Sequence, residues 1–127
     1  MAFVTNPIGI KGEAEATKML EKKGFKVIEH NWRMGHLEID IIAQEPQANL
    51  LHIVEVKTRK DDQHAELTEV ITKRKINNLV NAANGYISYH QLAMEVQYDV
   101  IFLIGNEPDF ELRYFPDAFQ PPLLHIR

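Results

Sequence analysis

The stretches LEIDIIA (Leu37–Ala43) and HIVEVKTR (His52–Arg59) decide the fold, because they place charged side chains inside the two most strand-like runs of the chain. Successive side chains of a strand point to opposite faces, so residues two apart share a face. The pattern predicts Glu38, Asp40 and Ile42 on one face of the first strand. On one face of the second strand it predicts Leu51, Ile53, Glu55 and Lys57. The short polar turn between the runs predicts an antiparallel hairpin that brings these charges together.

The composition is that of an ordinary globular protein. The chain has 127 residues, of which 45% are hydrophobic and 25% are charged, so we expect one domain over residues 1–127. It contains no cysteine, which excludes disulfides and thiolate zinc sites and fits a reducing, cytoplasmic location. The sequence shows neither a signal peptide nor an apolar run of the ~20 residues that a membrane span requires. We therefore expect no membrane partner.

The charge distribution limits how the chain could bind nucleic acid. A net charge of -4 argues against a protein that coats nucleic acid by bulk electrostatics, so such a partner would have to contact a local basic patch. The candidates are KTRK at residues 57–60, KRK at residues 73–75 and the isolated Arg33. Among these, Arg33, Arg59 and Lys73 are the predicted phosphate contacts, because they should flank the acidic residues.

The rest of the sequence predicts two helices and three further strands, in the order α-β-β-β-α-β-β of an α/β fold. The first helix is predicted from about Gly12 to Lys23 and the second from about Thr68 to Asn84. Residues 25–33 form the first predicted strand, and residues 110–115 the last. The apolar run at residues 96–105 predicts a central strand, and a right-handed crossover would place it parallel to HIVEVKT. The predicted inner face of the second helix consists of Thr72, Ile76, Leu79, Val80 and Ala83.

Three acids occupy positions where the pattern predicts apolar contact: Glu13, in the apolar stripe of the first helix, Asp40 and Glu55. Burying a carboxylate is costly unless it is paired or coordinates a cation, so the three acids predict a shared site. Carboxylate oxygens suit Mg²⁺ or Mn²⁺ better than zinc. Lys57 could orient an attacking water or stabilise charge on a phosphorane. The set indicates metal-dependent phosphodiester hydrolysis; the alternative is a solvated Glu55–Lys57 pair on an edge strand.

The chain also resembles a known family. GIKGEAEATKMLEKKGFKVIEHNWR (residues 9–33), LEIDIIA and HIVEVKTR are similar to the YraN-like family of small bacterial proteins, within the restriction-endonuclease-like PD-(D/E)xK nuclease superfamily. The likeness continues through residues 70–87, 98–105 and 117–119. It implies a restriction-endonuclease-like αβββαβ core, with a mixed sheet flanked by helices. It also places Glu13, Asp40, Glu55 and Lys57 on active-site positions, a layout that archaeal Holliday junction resolvases share.

These observations predict a Mg²⁺- or Mn²⁺-dependent endonuclease that hydrolyses phosphodiester bonds in DNA. Branched or single-stranded DNA is favoured, because the layout is resolvase-like and the basic residues are too sparse to hold a long duplex. The alternative is a non-catalytic nucleic-acid-binding or assembly module on the same fold. A homodimer would enlarge the binding surface of so small a domain. The six histidines show no ligand spacing, and each is predicted to be a surface or partly buried residue.

Overall fold

The structure, a computed structural model, describes residues 7–106 and 108–121, and for residues 7–11 it describes the backbone alone. Helix α1 (Pro7–Lys22) leads into strands β1 (Lys26–Met34), β2 (Leu37–Glu45) and β3 (Leu50–Arg59). A short helix α2 (Leu67–Val70) and a long helix α3 (Lys73–His90) follow, and then strands β4 (Glu95–Ile104) and β5 (Glu111–Phe119). The predicted order of helices and strands is confirmed, with one additional short helix.

The five strands form one mixed sheet in the order β1-β2-β3-β4-β5. Neighbouring strands are antiparallel except β3 and β4, which pair in parallel from Leu50↔Glu95 to Arg59↔Ile104. Parallel neighbours need a long crossover connection, and here α2 and α3 supply it. The predicted hairpin and the predicted parallel central strand are both confirmed.

Helices cover both faces of the sheet, so β3 and β4 are buried on both sides. On one face, Ala16 and Leu20 of α1 pack against Ile41, Val54 and Ile101. On the other face, α3 packs on the sheet through the buried cluster Ile39, Ile42, Leu51, Ile53, Leu79, Ala82, Ala83, Tyr86 and Tyr98. Among the described residues, no helix has the length and apolarity needed to cross a bilayer.

The predicted start of the second helix, at about Thr68, is wrong. The chain forms the short α2, breaks after Val70, and restarts as α3 at Lys73. Thr72 is the N-cap of α3, where its hydroxyl accepts a hydrogen bond from the Lys75 backbone N–H at 3.1 Å. Threonine at an N-cap satisfies a backbone donor that a helix end leaves free, so Thr72 caps α3 instead of lining its inner face.

The alternation of side chains between the two faces of the sheet is also interrupted within β2. Ile39 and Ile42 both pack in the cluster under α3 although they lie three residues apart, so the side-chain pattern is interrupted between them. The paired residues of β2 and β3 end at Ile41↔Val54. One residue further, Asp40 Oδ2 accepts a hydrogen bond from the Val56 backbone N–H at 2.8 Å. The Asp40 side chain therefore takes the place of a backbone partner where the two strands separate.

Candidate active site

Asp40 and Glu55, here called the acid pair, lie together at the point where β2 and β3 separate. Glu55 is buried, with 4% of its surface exposed. Burial and the neighbouring Glu55 carboxyl raise the pKa of Asp40 to about 9. Burial alone would raise the pKa of Glu55, but hydrogen bonding with Asp40 and the ammonium of Lys75 hold that pKa below its ordinary value. The pair therefore retains one proton at neutral pH.

Two lysines supply positive charge to the acid pair. Lys57, two residues beyond Glu55 on β3, helps to lower the pKa of Glu55 through its charge. Lys75, in the first turn of α3, forms an ion pair with Oε2 of Glu55. Apart from this ion pair, the buried oxygen has no hydrogen-bond partner among the residues that the structure describes.

Lys75 belongs to the predicted basic patch at residues 73–75, but its pairing with Glu55 was not predicted, because a continuous helix from Thr68 does not place it near the acids. The usable signal was Thr72, a preferred N-cap residue three positions before Lys75. A helix that begins after Thr72 puts Lys75 in its first turn. In that turn, burial alone would lower the pKa of Lys75, but the Glu55 carboxylate raises it.

Glu13 lies on α1 at the edge of the acid pair. A Cβ atom at Gly12 would stand 3.2 Å from side-chain atoms of Thr58 and Leu103, so glycine lets α1 approach the sheet closely beside Glu13. Burial raises the pKa of Glu13, and its charge contributes to the raised pKa of Asp40. Nevertheless, within residues 7–106 and 108–121 no three His, Cys, Asp or Glu side chains form a group that could hold a metal ion.

Asn31 was also missed in the sequence analysis. Its Nδ2 donates a hydrogen bond to Glu13 Oε2 at 2.9 Å. The register of β1 with β2 pairs the residues on either side of Asn31 with those on either side of Asp40, which places Asn31 beside Asp40. Glu13 and Asn31 line a cavity of 410 Å³ between α1 and β1. The single asparagine in EHNWR gave no sequence signal for this contact.

The predicted phosphate contacts have different surroundings. Arg33 is 65% exposed and lies 3.6 Å from Glu38, and Lys73 is exposed at the start of α3. The Arg59 guanidinium donates hydrogen bonds to the backbone carbonyls of His64 and Thr58, at 3.1 Å and 3.0 Å. Arg59 is therefore held by the chain following β3, whereas Arg33 and Lys73 present their charges to solvent.

A second buried polar cluster, here called the His52 network, involves β2, β3, β4 and β5. The His52 ring lies 2.7 Å from Asp99 through Nδ1 and 2.9 Å from Glu45 through Nε2. Asp99 also accepts hydrogen bonds from the Tyr114 hydroxyl at 2.7 Å and the Asp117 backbone N–H at 2.9 Å. Burial alone would lower the pKa of His52, but Asp99 and Glu45 raise it above its ordinary value.

The prediction that each histidine is a surface or partly buried residue is wrong for His52, which is fully buried at 1% exposure. Its partners are 7 and 47 residues away in the chain, so no local spacing could have revealed the network. His125 lies outside the described residues.

Comparison with known proteins supports the fold and identifies the relatives. A Bacteroides thetaiotaomicron UPF0102 protein is 39% identical over 118 residues, covering 93% of this chain and 96% of the relative. A Flavobacterium psychrophilum UPF0102 protein is 38% identical over 114 residues, covering 90% and 94%.

Among solved structures, the chain is similar to Archaeoglobus fulgidus Hjc, described as a Holliday junction resolvase from an archaeal hyperthermophile. The TM-score is 0.53 with 20% sequence identity, and the likeness covers 84% of this chain and 75% of the other. The shared architecture confirms the predicted restriction-endonuclease-like fold. The model of the uncharacterised protein family UPF0102 matches residues 12–103. With that match and these relatives, the chain belongs to UPF0102, the YraN-like family that its sequence segments resemble.

Proposed function

We propose that the protein is a Mg²⁺- or Mn²⁺-dependent endonuclease that hydrolyses phosphodiester bonds in DNA, with Glu13, Asp40, Glu55 and Lys57 in the active site. The observation that carries the proposal is the acid pair at the separation of β2 and β3, with Lys57 close by. Its position on a restriction-endonuclease-like fold supports the same activity, since the structurally similar Hjc is described as a Holliday junction resolvase.

The acid pair has the chemistry that a hard divalent cation needs. Glu55 Oε2 is buried and, apart from the Lys75 ion pair, has no hydrogen-bond partner among the described residues. Burial and the neighbouring Glu55 carboxyl raise the pKa of Asp40. Carboxylate oxygens are the preferred ligands of Mg²⁺ and Mn²⁺, so Asp40 and Glu55 would hold the ion, with Glu13 as the proposed third acid. Bound there, such an ion would supply Lewis acidity.

Lys57 has a separate role in this proposal. An ammonium group next to a scissile phosphate stabilises the negative charge that develops in the transition state. Lys57 lies on the same strand as Glu55 and already acts on that carboxylate electrostatically. Its charge is therefore available at the place where the phosphate would lie.

Branched or single-stranded DNA is the proposed substrate. The net charge of -4 leaves little bulk attraction for a long duplex, and the predicted phosphate contacts that are exposed are Arg33 and Lys73. Contacts of this kind recognise phosphate and shape rather than base sequence. Pairing of two copies as a homodimer would extend the binding surface.

Cleavage and binding assays with matched variants test the proposal. The wild-type protein should cleave branched or single-stranded DNA with Mg²⁺ or Mn²⁺ and not with a chelator. Asp40→Asn should abolish cleavage and retain binding, whereas Asp109→Asn, at an exposed turn, should leave both unchanged. Lys73→Ala should weaken binding and reduce its salt dependence. Binding by the wild type without cleavage, across DNA and RNA substrates and several metals, would contradict the nuclease proposal.

One observation favours the second candidate, a non-catalytic nucleic-acid-binding module. The Lys75 ammonium already pairs with Glu55, so the site has a positive charge without any metal. A module of this kind should bind DNA and show no heat of Mn²⁺ binding by titration calorimetry. Measurable Mn²⁺ binding that Asp40→Asn removes would argue against it.

A further inference from the structure

Asn31 adopts a left-handed backbone conformation inside a strand, with φ of 50° in β1. This conformation is uncommon outside glycine and has an energetic cost, although asparagine adopts it more readily than most other residues. The other non-glycine residues with positive φ that the structure describes are Asn49, Gln91 and Asp117. Asn49 and Gln91 end helices, where such a residue is common. Asp117 lies in β5 where the register with β4 is interrupted, and its backbone N–H donates a hydrogen bond to the buried Asp99. Asn31 ends no helix, so its conformation needs another explanation.

The Asn31 side chain makes a contact that adds little to folding. Its hydrogen bond to Glu13 at 2.9 Å is exposed and joins residues 18 positions apart. Hydrogen bonds that exchange with water contribute modestly to stability, so this contact does not account for the backbone cost. The contact does join the neighbour of Asp40 on β1 to the acid carried by α1.

We propose that Asn31 is a positioning residue for Glu13, an inference that rests on the proposed function. The left-handed backbone conformation of Asn31 in β1 directs its side-chain amide towards Glu13 on α1. The amide then restricts the orientation of the Glu13 carboxylate at the edge of the acid pair. Residues that orient an acidic group near a metal typically change metal affinity by about 10–100-fold when they are removed. Asn31 acts through Glu13 and needs no contact with substrate.

Two asparagine variants separate the amide from the backbone conformation. Asn31→Gly keeps a residue suited to positive φ and removes the amide. Asn49→Gly is the matched control, because Asn49 has φ of 51° and its Nδ2 also donates one hydrogen bond, to the Ala93 carbonyl at 3.1 Å. We expect Asn31→Gly to weaken Mn²⁺ binding by about tenfold or more, measured by titration calorimetry, and Asn49→Gly to leave it unchanged.

Repeating Asn31→Gly in a Glu13→Ala background tests whether Asn31 acts through Glu13. The expected result is a loss of Mn²⁺ affinity in the wild-type background and no further loss in Glu13→Ala. The inference is overturned if Asn31→Gly causes equal losses of Mn²⁺ affinity in both backgrounds, or no loss in either. It is also overturned if Asn31→Gly fails to fold while Asn49→Gly folds. None of these outcomes contradicts the proposed function. If the wild-type protein binds no Mn²⁺ and cleaves no DNA, the proposed function and this inference are both overturned.

Discussion

At the scale of single residues, Asp40 is the group whose chemistry departs furthest from its ordinary behaviour. Because folding raises its pKa to about 9, the folded protein keeps a proton that the unfolded chain releases near pH 4. The folded state then binds more protons than the unfolded state between these two values. The contribution of Asp40 to stability should therefore be complete at and below about pH 4 and should fall as the pH rises towards 9, by at most about 1.4 kcal/mol per pH unit.

Asp40→Asn should remove this pH dependence. Without metal, the variant should become increasingly more stable than the wild type as the pH rises from 5 to 9, because its amide has no proton to lose. Thermal melts of the two proteins in chelator at pH 5, 7 and 9 measure the difference, in which the titration of other groups such as His52 largely cancels. If the difference in melting temperature between the two proteins were the same at all three pH values, Asp40 would ionise with an ordinary pKa.

The contacts that could be predicted from the sequence join residues of one hairpin, whereas the contacts that were missed join residues of separate elements. Asp40 and Glu55 were predictable as neighbours, because a hairpin fixes which residues meet and their charges stood out in apolar strands. The contact between Asn31 and Glu13 joins different elements 18 residues apart. It also depends on a backbone conformation that a uniform strand pattern does not contain. Long-range partners and local departures from regular geometry leave no periodic signal in one sequence.

At the scale of elements, the start of α3 determines which lysine reaches the acids. Thr72 caps the helix, so Lys75 falls in the first turn, where its ammonium pairs with Glu55. The position of Lys75 therefore depends on where α3 begins, and not only on the presence of a helix in this part of the chain. The apolar periodicity predicted a helix here correctly, but it located neither the break at Thr72 nor the role of Lys75.

Lys75→Met should destabilise the protein, because it leaves the buried Glu55 carboxylate without its nearest cation. Breaking a fully buried ion pair costs about 3–5 kcal/mol. We expect about 1–2 kcal/mol here, since the Lys75 side chain is 34% exposed and solvent screens part of the interaction. Urea denaturation measures the change, with Lys73→Met as the control from the same helical turn. Losses of equal size in the two variants would remove the special role of Lys75.

At the scale of the whole molecule, the His52 network joins four of the five strands through one histidine, one tyrosine and two carboxylates. The raised pKa of His52 means that its ionic contribution to stability is complete below about pH 6.5. That contribution is lost as the pH rises through the higher pKa of the folded state. This effect has the same sign as that of Asp40, so both groups favour the folded state at lower pH.

His52→Gln should cost about 3–5 kcal/mol at pH 6, because it leaves Asp99 buried without its cation, and less at pH 9. His64→Gln is the control, since His64 also lies 2.7 Å from a carboxylate, that of Asp61, but both side chains are exposed. Exposed pairs contribute little to stability, because water screens their charges. Denaturation midpoints at the two pH values provide the comparison, and a loss at His52 that is independent of pH would contradict an ionic role.

The His52 network also bears on how β3 and β4 select one alignment. From Tyr98 to Ile104, β4 is buried at every position and, apart from Asp99, apolar or aromatic on both faces. Hydrophobic patterning alone would therefore accept β4 shifted by one residue along β3, because each shifted side chain still meets apolar neighbours. Such a shift would turn Asp99 away from His52 and leave an unpaired charge in the interior. The polar groups of the His52 network thus disfavour registers in which β4 is shifted along β3. Additional buried isoleucines could not provide this specificity.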